Sequence, residues 1–256
     1  MRILLCGVNG LGEEAISRAF ERMGFDIGSY DRKSDNYDID KKYMYDLVEL
    51  LKKEKFDIVF SIDFLPIVSK VCQIFKIMYI SWIYDCPEIR LYSKAITNSC
   101  NRIFLFDKVQ YERFHHRSPN TVFYMPLATE PITNFEKWIT DDEKKRYPHD
   151  LTFIGSLYNE KKRQFHELEK LDDYEWGFVN GLAQAQINVY GYNFIYDSLS
   201  DEMVSSLKRK LDYASIEDYM IDDREILSDQ YIGAYSSALD RARTLQAAAD
   251  IHKLHI

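Results

Sequence analysis

The stretch that decides the fold opens the chain and reads Arg2-Ile-Leu-Leu-Cys-Gly-Val-Asn-Gly-Leu-Gly-Glu-Glu-Ala-Ile-Ser-Arg-Ala-Phe-Glu-Arg-Met23. Its apolar run up to residue 8 is too short for a helix, and Gly7, Gly10 and Gly12 mark its end. From residue 11 the apolar residues recur at helical spacing. A strand that is apolar throughout is typical of the centre of a parallel sheet, and the helix N-terminus after it can hold an anion. The stretch therefore predicts a strand–loop–helix unit suited to a phosphate or carboxylate ligand.

The charge distribution argues against a nucleic-acid-binding protein. The chain has 256 residues and a formal net charge of −8. Residues 1–157 hold 22 Lys and Arg against 23 Asp and Glu, whereas residues 158–256 hold 11 against 18. An acidic second half disfavours a nucleic-acid surface, which needs a basic stripe. It is typical of a solvated helical face.

The sequence gives no sign of a membrane or a metal. No segment approaches the ~18 apolar residues of a membrane span, and no signal-peptide pattern opens the chain. The four cysteines, Cys6, Cys72, Cys86 and Cys100, match no zinc-binding spacing. Cys6 and Cys72 lie in apolar runs, as small core residues do in a reducing compartment. We expect a cytoplasmic protein with no membrane span and no metal site.

Short apolar segments alternate with helical patterns up to about residue 156. The predicted strands are residues 2–8, 25–31, 57–63, 78–85, 102–107, 121–127 and 151–156. The predicted helices between them are residues 11–23, 41–55, 65–75, 91–97 and 109–114. This alternation predicts right-handed strand–helix–strand units, hence an α/β fold with a Rossmann-like parallel sheet. We expect the seven strands to lie side by side in order, with their carboxyl ends along one crevice.

The pattern changes after residue 130. Prolines 126, 131 and 148 bracket a segment without clear periodicity, which predicts a linker over residues 131–149. The strand at 151–156 then opens a mostly helical region, with helices expected over 160–171, 174–189, 199–213, 216–227 and 230–250. We therefore expect a Rossmann-like domain over residues 1–130 and a second domain, with a helical insertion, over residues 150–256.

We draw two further expectations, one from the last six residues and one from the tyrosines of the second half. Residues 251–256 look like the start of a strand, so we expect a second domain that is truncated within a longer protein. Eight tyrosines of the helical half are typical of core packing. They also suit an interaction face for a protein partner or a second copy of the chain, because tyrosine is favoured at interfaces.

Acidic or small polar residues end several predicted strands: Asp31, Asp63, Asp85, Asp107 and Ser156. At the carboxyl edge of a parallel sheet such residues bind ligands. Such residues also serve as helix N-caps. For most of the five, the cap is the better interpretation.

The glycine loop allows a nucleotide interpretation. Gly7-Val-Asn-Gly-Leu-Gly12 approximates the G-x-G-x-x-G fingerprint, with Asn9 in place of the second glycine. Asp31 follows 19 residues after Gly12, where an acid would meet a ribose hydroxyl. NAD binding is therefore an alternative function. Against it, no later stretch offers a hydride-transfer site, and a tight turn alone can require these glycines.

The end of the fourth predicted strand carries residue types that can bind a sugar. Trp82 and Tyr84 lead into Asp85 and Pro87. An aromatic ring takes the C–H face of a sugar while a carboxylate takes its hydroxyls. On spacing alone, the favoured interpretation is that the aromatic residues pack against helices and Asp85 caps a turn.

Three stretches then stand in a distinctive order: Trp82-Ile-Tyr-Asp-Cys-Pro87, Arg102-Ile-Phe-Leu-Phe-Asp-Lys-Val-Gln-Tyr-Glu-Arg113, and Thr152-Phe-Ile-Gly-Ser-Leu-Tyr158 followed by Lys161-Lys-Arg163. Met125-Pro-Leu-Ala128 lies between the last two. In this order they resemble the CgeB-type (spore maturation) glycosyltransferases. The resemblance covers about residues 57–165.

The resemblance implies a GT-B architecture, in which the first domain holds the sugar acceptor and the second holds a nucleotide-sugar donor. It implies that Gly155, Ser156 and Arg163 approach the donor diphosphate. It also implies that Asp85 contacts or deprotonates the acceptor hydroxyl, and that Asn9 and Gly10 line the cleft. Trp82 and Tyr84 complete the expected substrate site.

On this reading the nucleotide sugar is a co-substrate, and the enzyme needs no metal or other cofactor. The donor-binding part of the second domain would lie beyond Ile256, so this polypeptide alone should lack transferase activity. The alternatives are a non-catalytic ligand-binding or interaction module and the NAD-binding Rossmann protein.

Overall fold

The computed structural model describes residues 1–7, 12–34, 36–38, 40–129, 139–146, 148–158, 164–211 and 219–256. The chain divides into two compact units. The first comprises Met1–Glu130 and Ile216–Met220, and the second comprises Pro131–Ser215 and Ile221–Ile256. Among the described residues, no helix combines the length and the apolar character that crossing a bilayer requires.

The first unit is built on six parallel strands with flanking helices, as an α/β Rossmann-like fold requires. The strands are β1 (Arg2–Cys6), β2 (Asp26–Tyr30), β3 (Ile58–Ile62), β4 (Met78–Ile83), β5 (Asn101–Leu105) and β6 (Val122–Tyr124). The helices are α1 (Glu13–Arg22), α2 (Lys41–Lys53), α3 (Pro66–Phe75) and α4 (Lys108–Arg117). Two 3-10 turns, Ile89–Tyr92 and Lys94–Thr97, join β4 to β5.

The strand order is β2-β1-β3-β4-β5-β6, with Ile3 of β1 paired to Ile27 on one side and Ile58 on the other. The expectation that the strands lie in sequence order is therefore wrong at β2. Its sequence, Asp-Ile-Gly-Ser-Tyr, includes polar residues, and none of its five residues is buried, as suits an edge strand. The uniformly apolar β1 instead takes a position with a neighbour on each side.

The two faces of the sheet have separate apolar layers. On one face, Ile3, Phe60 and Ile62 form a core against which Ile16 and Phe20 of α1 pack. Parallel crossovers are right-handed. Helix α1 leads from β1 to the edge strand, whereas α2, α3 and α4 lead the opposite way, so these three cover the other face.

Side-chain caps fix where several helices begin. The Asp40 carboxylate accepts the N–H groups of Lys42 and Tyr43 at the start of α2. Asp107 accepts the N–H of Gln110 and starts α4, which confirms the cap expected at that strand end.

The second unit is mostly helical. Its helices are α5 (Asp141–Arg146), α6 (Asp173–Gln186), α7 (Ile195–Ser198), α8 (Asp201–Lys210), α9 (Asp223–Ile226) and α10 (Gly233–Ile251). A 3-10 helix spans Gln164–Lys170, and a π-helical segment, Leu227–Ile232, joins α9 to α10. Leu168, Val179, Leu207, Tyr231 and Ile232 are among its buried core residues.

The seventh predicted strand does not join the sheet of the first unit. Only Leu151–Thr152 is extended (β7), and it pairs in parallel with Leu254–His255 (β8). The expectation of seven strands side by side is therefore wrong here. Both β7 residues are exposed, so this segment has no buried apolar face that would pack in a larger sheet.

We expect Gly28→Ala to destabilise the first unit by roughly 1–3 kcal/mol. A Cβ at this position of β2 would lie 2.6 Å from Cε1 of the buried Phe56 ring, so that ring must move. Urea unfolding measures the effect. Gly181→Ala in α6, where an added Cβ meets nothing within 4 Å, is the control and should be neutral or slightly stabilising.

A double-mutant cycle tests the stated cause. Phe56→Leu removes the ring atoms that the new methyl group would meet, so Gly28→Ala should cost less stability in that background. If the losses of stability from the two substitutions simply add, the contact with Phe56 is not the reason that residue 28 is a glycine.

Candidate functional site

The strand order of the first unit predicts a crevice at one edge of its sheet. Strands β1 and β3 are neighbours, but the chain leaves them in opposite directions, towards β2 and towards β4. Ligands of parallel α/β sheets bind outside the carboxyl ends of the strands at such a switch point. The described residues at this edge include Gly7 and Gly12 after β1, Asp63 after β3, and Tyr84 and Asp85 after β4.

Asp63 holds the ends of β3 and β4 together. Its carboxylate Oδ1 accepts the backbone N–H of Tyr84 at 2.8 Å and that of Asp85 at 3.2 Å. Its own backbone has φ 55°, a left-handed conformation that Asp tolerates better than most residues. Asp63 is thus not a helix cap, because α3 begins after Leu65 with Pro66 in its first turn.

A buried hydroxyl pair supports this backbone turn. The Ser61 Oγ donates to the Asp63 carbonyl at 2.7 Å and lies 2.6 Å from the Tyr79 hydroxyl. The same Tyr79 oxygen accepts the N–H of Leu65 at 3.0 Å. Burial raises the pKa of Tyr79, so the phenol stays neutral. The turn therefore has its polar groups satisfied within the fold.

An ion pair lies beneath the crevice. Arg90 donates from Nε and Nη2 to the two oxygens of Glu88, at 2.8 and 2.5 Å, and its Nη2 lies 3.7 Å from Asp63 Oδ2. Burial raises the pKa of Glu88, and the nearby Arg90 offsets only part of that effect. For Arg90, burial opposes the charge, but Glu88 outweighs it and raises the pKa.

Three carboxylates converge at this point. One oxygen each from Asp63, Asp85 and Glu88 lies within 4.8 Å of the others, a spacing that could hold a cation. The Arg90 guanidinium already pairs with Glu88 and approaches Asp63, so it supplies positive charge at that place. Asp63 and Glu88 are buried, whereas Asp85 is exposed. Asp85 is therefore the acid of this cluster that is accessible to solvent.

The two aromatic residues predicted for the substrate site, Trp82 of β4 and Tyr84 just after it, both pack against the apolar core. The Trp82 and Tyr84 rings meet edge to face at 5.2 Å and pack against the apolar core on the α1 face. The Trp82 Nε1 is buried and has no hydrogen-bond partner among the described residues. Tyr84 lies at the edge, with its ring beside Gly12, where an added Cβ would be 3.7 Å from Cε1.

A distant segment also reaches this unit. Tyr219 pairs with Ser93 in an antiparallel bridge, and its hydroxyl donates to Asp38 at 2.8 Å. Burial and the Asp38 carboxylate raise its pKa, with a smaller contribution from Glu88. Nothing in the sequence near residue 219 indicates this contact.

The predicted donor residues lie in the second unit. The Ser156 carbonyl accepts Nη1 of Arg241 at 2.6 Å, and the Arg241 guanidinium lies 3.9 Å from the centre of the Tyr158 ring. Gly155 is close to Phe153, whose ring would be 2.9 Å from an added Cβ. Sequence reasoning missed Arg241, which reaches this loop from α10. Asn9, Gly10 and Arg163 lie outside the described residues.

Comparison of the chain with models of known protein families and with curated proteins finds no match. The CgeB-type resemblance of the three short stretches therefore stays a prediction.

We expect Asp63→Ala to destabilise the first unit by roughly 2–4 kcal/mol, because it removes the acceptor of two amides and puts Ala in a left-handed conformation. Asp63→Asn keeps an acceptor oxygen and tolerates that conformation, so it should cost clearly less. Urea unfolding gives the stability, and amide hydrogen exchange at Tyr84 and Asp85 gives the local effect. Equal effects of the two variants, or unchanged exchange at both amides, would contradict this role.

Proposed function

We propose that this chain serves glycosyl transfer from a nucleotide sugar, with the first unit binding the hydroxyl-bearing acceptor. The observation that carries the proposal is the exposed Asp85 carboxylate, held at the carboxyl edge of the sheet by the bond from its backbone to Asp63. Tyr84 precedes Asp85 in the chain, and its ring lies beside Gly12 at the same edge of the sheet. Carboxylates bind sugar hydroxyls, and an aromatic face takes the C–H surface of the sugar ring.

In this proposal Asp85 is the general base. It takes the proton of the acceptor hydroxyl as that oxygen forms a bond to the anomeric carbon of the donor. The bond between the anomeric carbon and the diphosphate oxygen breaks, and its electron pair leaves with the diphosphate. Asp63 and Arg90 act as positioning residues, because they hold the loop that carries Asp85 rather than the substrate.

The donor side of the proposal rests on the second unit. Backbone N–H groups around Gly155 and Ser156 and a guanidinium would offset the negative charge that develops on the leaving diphosphate. Arg241, which already touches this loop, is a candidate for that guanidinium alongside the predicted Arg163. The nucleotide sugar is the co-substrate, and the scheme uses no metal.

We further propose a cytoplasmic protein that associates through its helical second unit. The four cysteines, all among the described residues, form no disulfide, and Cys6 and Cys72 are buried, as suits a reducing compartment. Burial raises the pKa of Cys6 to about 12, so its thiol is unreactive. Tyr174 and Tyr190 are 77% and 84% exposed, a placement that suits a protein interface better than core packing.

The test measures binding with this chain, and it measures transfer after the donor-binding part that the resemblance implies has been added to it. Thermal-shift and calorimetric titrations with UDP-, GDP-, ADP- and dTDP-sugars identify the donor, and chromatography of the released nucleoside diphosphate follows transfer to sugar acceptors. We expect Asp85→Asn to lower kcat by roughly 100-fold or more, the usual share of a general base, with donor affinity unchanged. Glu112→Gln, a matched exposed acid on α4, should leave both quantities unchanged.

Two results would overturn the proposal. Stabilisation by NAD alone, abolished by Asp31→Ala, would favour the dinucleotide alternative. Failure to bind any nucleotide sugar would favour the non-catalytic module.

A further inference from the structure

Two residues from far along the chain, Tyr219 and Met220, are fixed on the 3-10 turn that follows β4. Tyr219 pairs with Ser93 in an antiparallel bridge, and the Met220 N–H donates to the Tyr92 carbonyl at 2.7 Å. Tyr92 is the last residue of this turn, which spans Ile89–Tyr92. We call Tyr219 and Met220 the clamp. Both clamp residues are part of the first unit.

The clamp is also held from two other sides. Arg117 of α4 donates from Nη1 to the Met220 carbonyl at 3.2 Å, and its guanidinium lies 5.2 Å from the centre of the Tyr92 ring. The Tyr219 hydroxyl donates to Asp38, in the segment between β2 and α2, at 2.8 Å. These contacts come from three separate parts of the first unit, so the turn after β4 is not held by its neighbours in sequence alone.

The turn that the clamp holds carries the Glu88–Arg90 ion pair. Glu88 caps the turn, and Arg90 is its second residue. Burial raises the pKa of the Tyr219 phenol most, Asp38 adds to the rise, and the Glu88 and Arg90 charges act on it in opposite directions. Tyr219 is therefore a neutral, half-buried ring near the pair. A ring that keeps water from an ion pair strengthens the attraction within it.

Arg90 links the turn to the acid cluster. Its Nη2 lies 3.7 Å from Asp63 Oδ2, and Asp63 Oδ1 accepts the backbone N–H of Asp85 at 3.2 Å. The contacts are therefore continuous from Tyr219, through the turn and Arg90, to Asp85. Energetic coupling between separated groups can travel through such a contiguous network.

We propose that Tyr219 is a positioning residue for Asp85. The docked clamp fixes the turn after β4, and the fixed turn keeps Arg90 beside Asp63. When the clamp is lost, the turn and Arg90 shift, and the backbone at Asp85 loosens. The inference rests on the proposed function, because Asp85 is a general base only in that scheme.

Amide hydrogen exchange of the substrate-free chain tests the clamp. We expect Tyr219→Ala to speed exchange of the Tyr84 and Asp85 amides by at least about tenfold, because local opening of that backbone becomes easier. The amide of Leu4, in the middle of β1, reports global unfolding and should change clearly less. Thermal melting confirms that each variant folds.

A matched tyrosine provides the control. In the second unit, the Tyr196 hydroxyl donates to Asp222 at 3.3 Å, the same kind of contact that Tyr219 makes with Asp38. Tyr196→Ala should leave the exchange of the two reporter amides unchanged.

A double-mutant cycle tests the route through Arg90. Glu88→Gln combined with Arg90→Gln removes both charges of the pair together, so neither charge is left buried alone. In that background, Tyr219→Ala should speed exchange of the Tyr84 and Asp85 amides clearly less than it does in the wild-type background.

The proposal is overturned if Tyr219→Ala leaves both reporter amides unchanged, if exchange at Leu4 rises by the same factor, or if the effect is undiminished in the charge-free background. Should the alanine variant not fold, Tyr219→Phe removes only the hydroxyl and gives the same comparisons, with an expected rise of about threefold. No substrate takes part in these measurements. Failure of the clamp and failure of the proposed glycosyl transfer can therefore be told apart.

Discussion

The carboxylate of Asp63 is the interaction on which the crevice depends. It accepts two backbone N–H groups from the chain that follows β4, and these groups would otherwise end a strand without partners. A single oxygen therefore sets where Tyr84 and Asp85 stand relative to β3. Because the bond joins a charged acceptor to backbone donors, it is stronger than a bond between neutral groups.

The surrounding residues make this arrangement rigid. Hydrogen bonds of Ser61 and Tyr79 support the left-handed turn at Asp63, and the half-buried Arg90, paired with the buried Glu88, brings positive charge close to it. Removing one partner of such a buried pair exposes the other to an uncompensated desolvation cost. The hydrogen bonds at the end of β3 and β4 are thus made within the fold, and Asp85 is the exposed member of the acid cluster.

The sequence predicts the layers of the first unit better than its polar details. Apolar runs that alternate with helical spacing indicate six of the strands, and an acid at a strand end correctly predicts the cap at Asp107. The edge position of β2 could have been inferred from its polar residues. The role of Asp63 could not, since a cap and a strand-bridging carboxylate have the same local sequence. Tyr219 and Arg241 bind residues that are far from them in the sequence, so no local sequence pattern could predict these contacts.

The most direct measurement is a trans-hydrogen-bond NMR correlation between backbone amides and side-chain carboxyl carbons in the isotope-labelled chain. We predict that the amides of Tyr84 and Asp85 both couple to the Asp63 carboxyl carbon, with the shorter bond to Tyr84 giving the stronger signal. Absence of both couplings, together with fast exchange of these two amides with solvent, would contradict it.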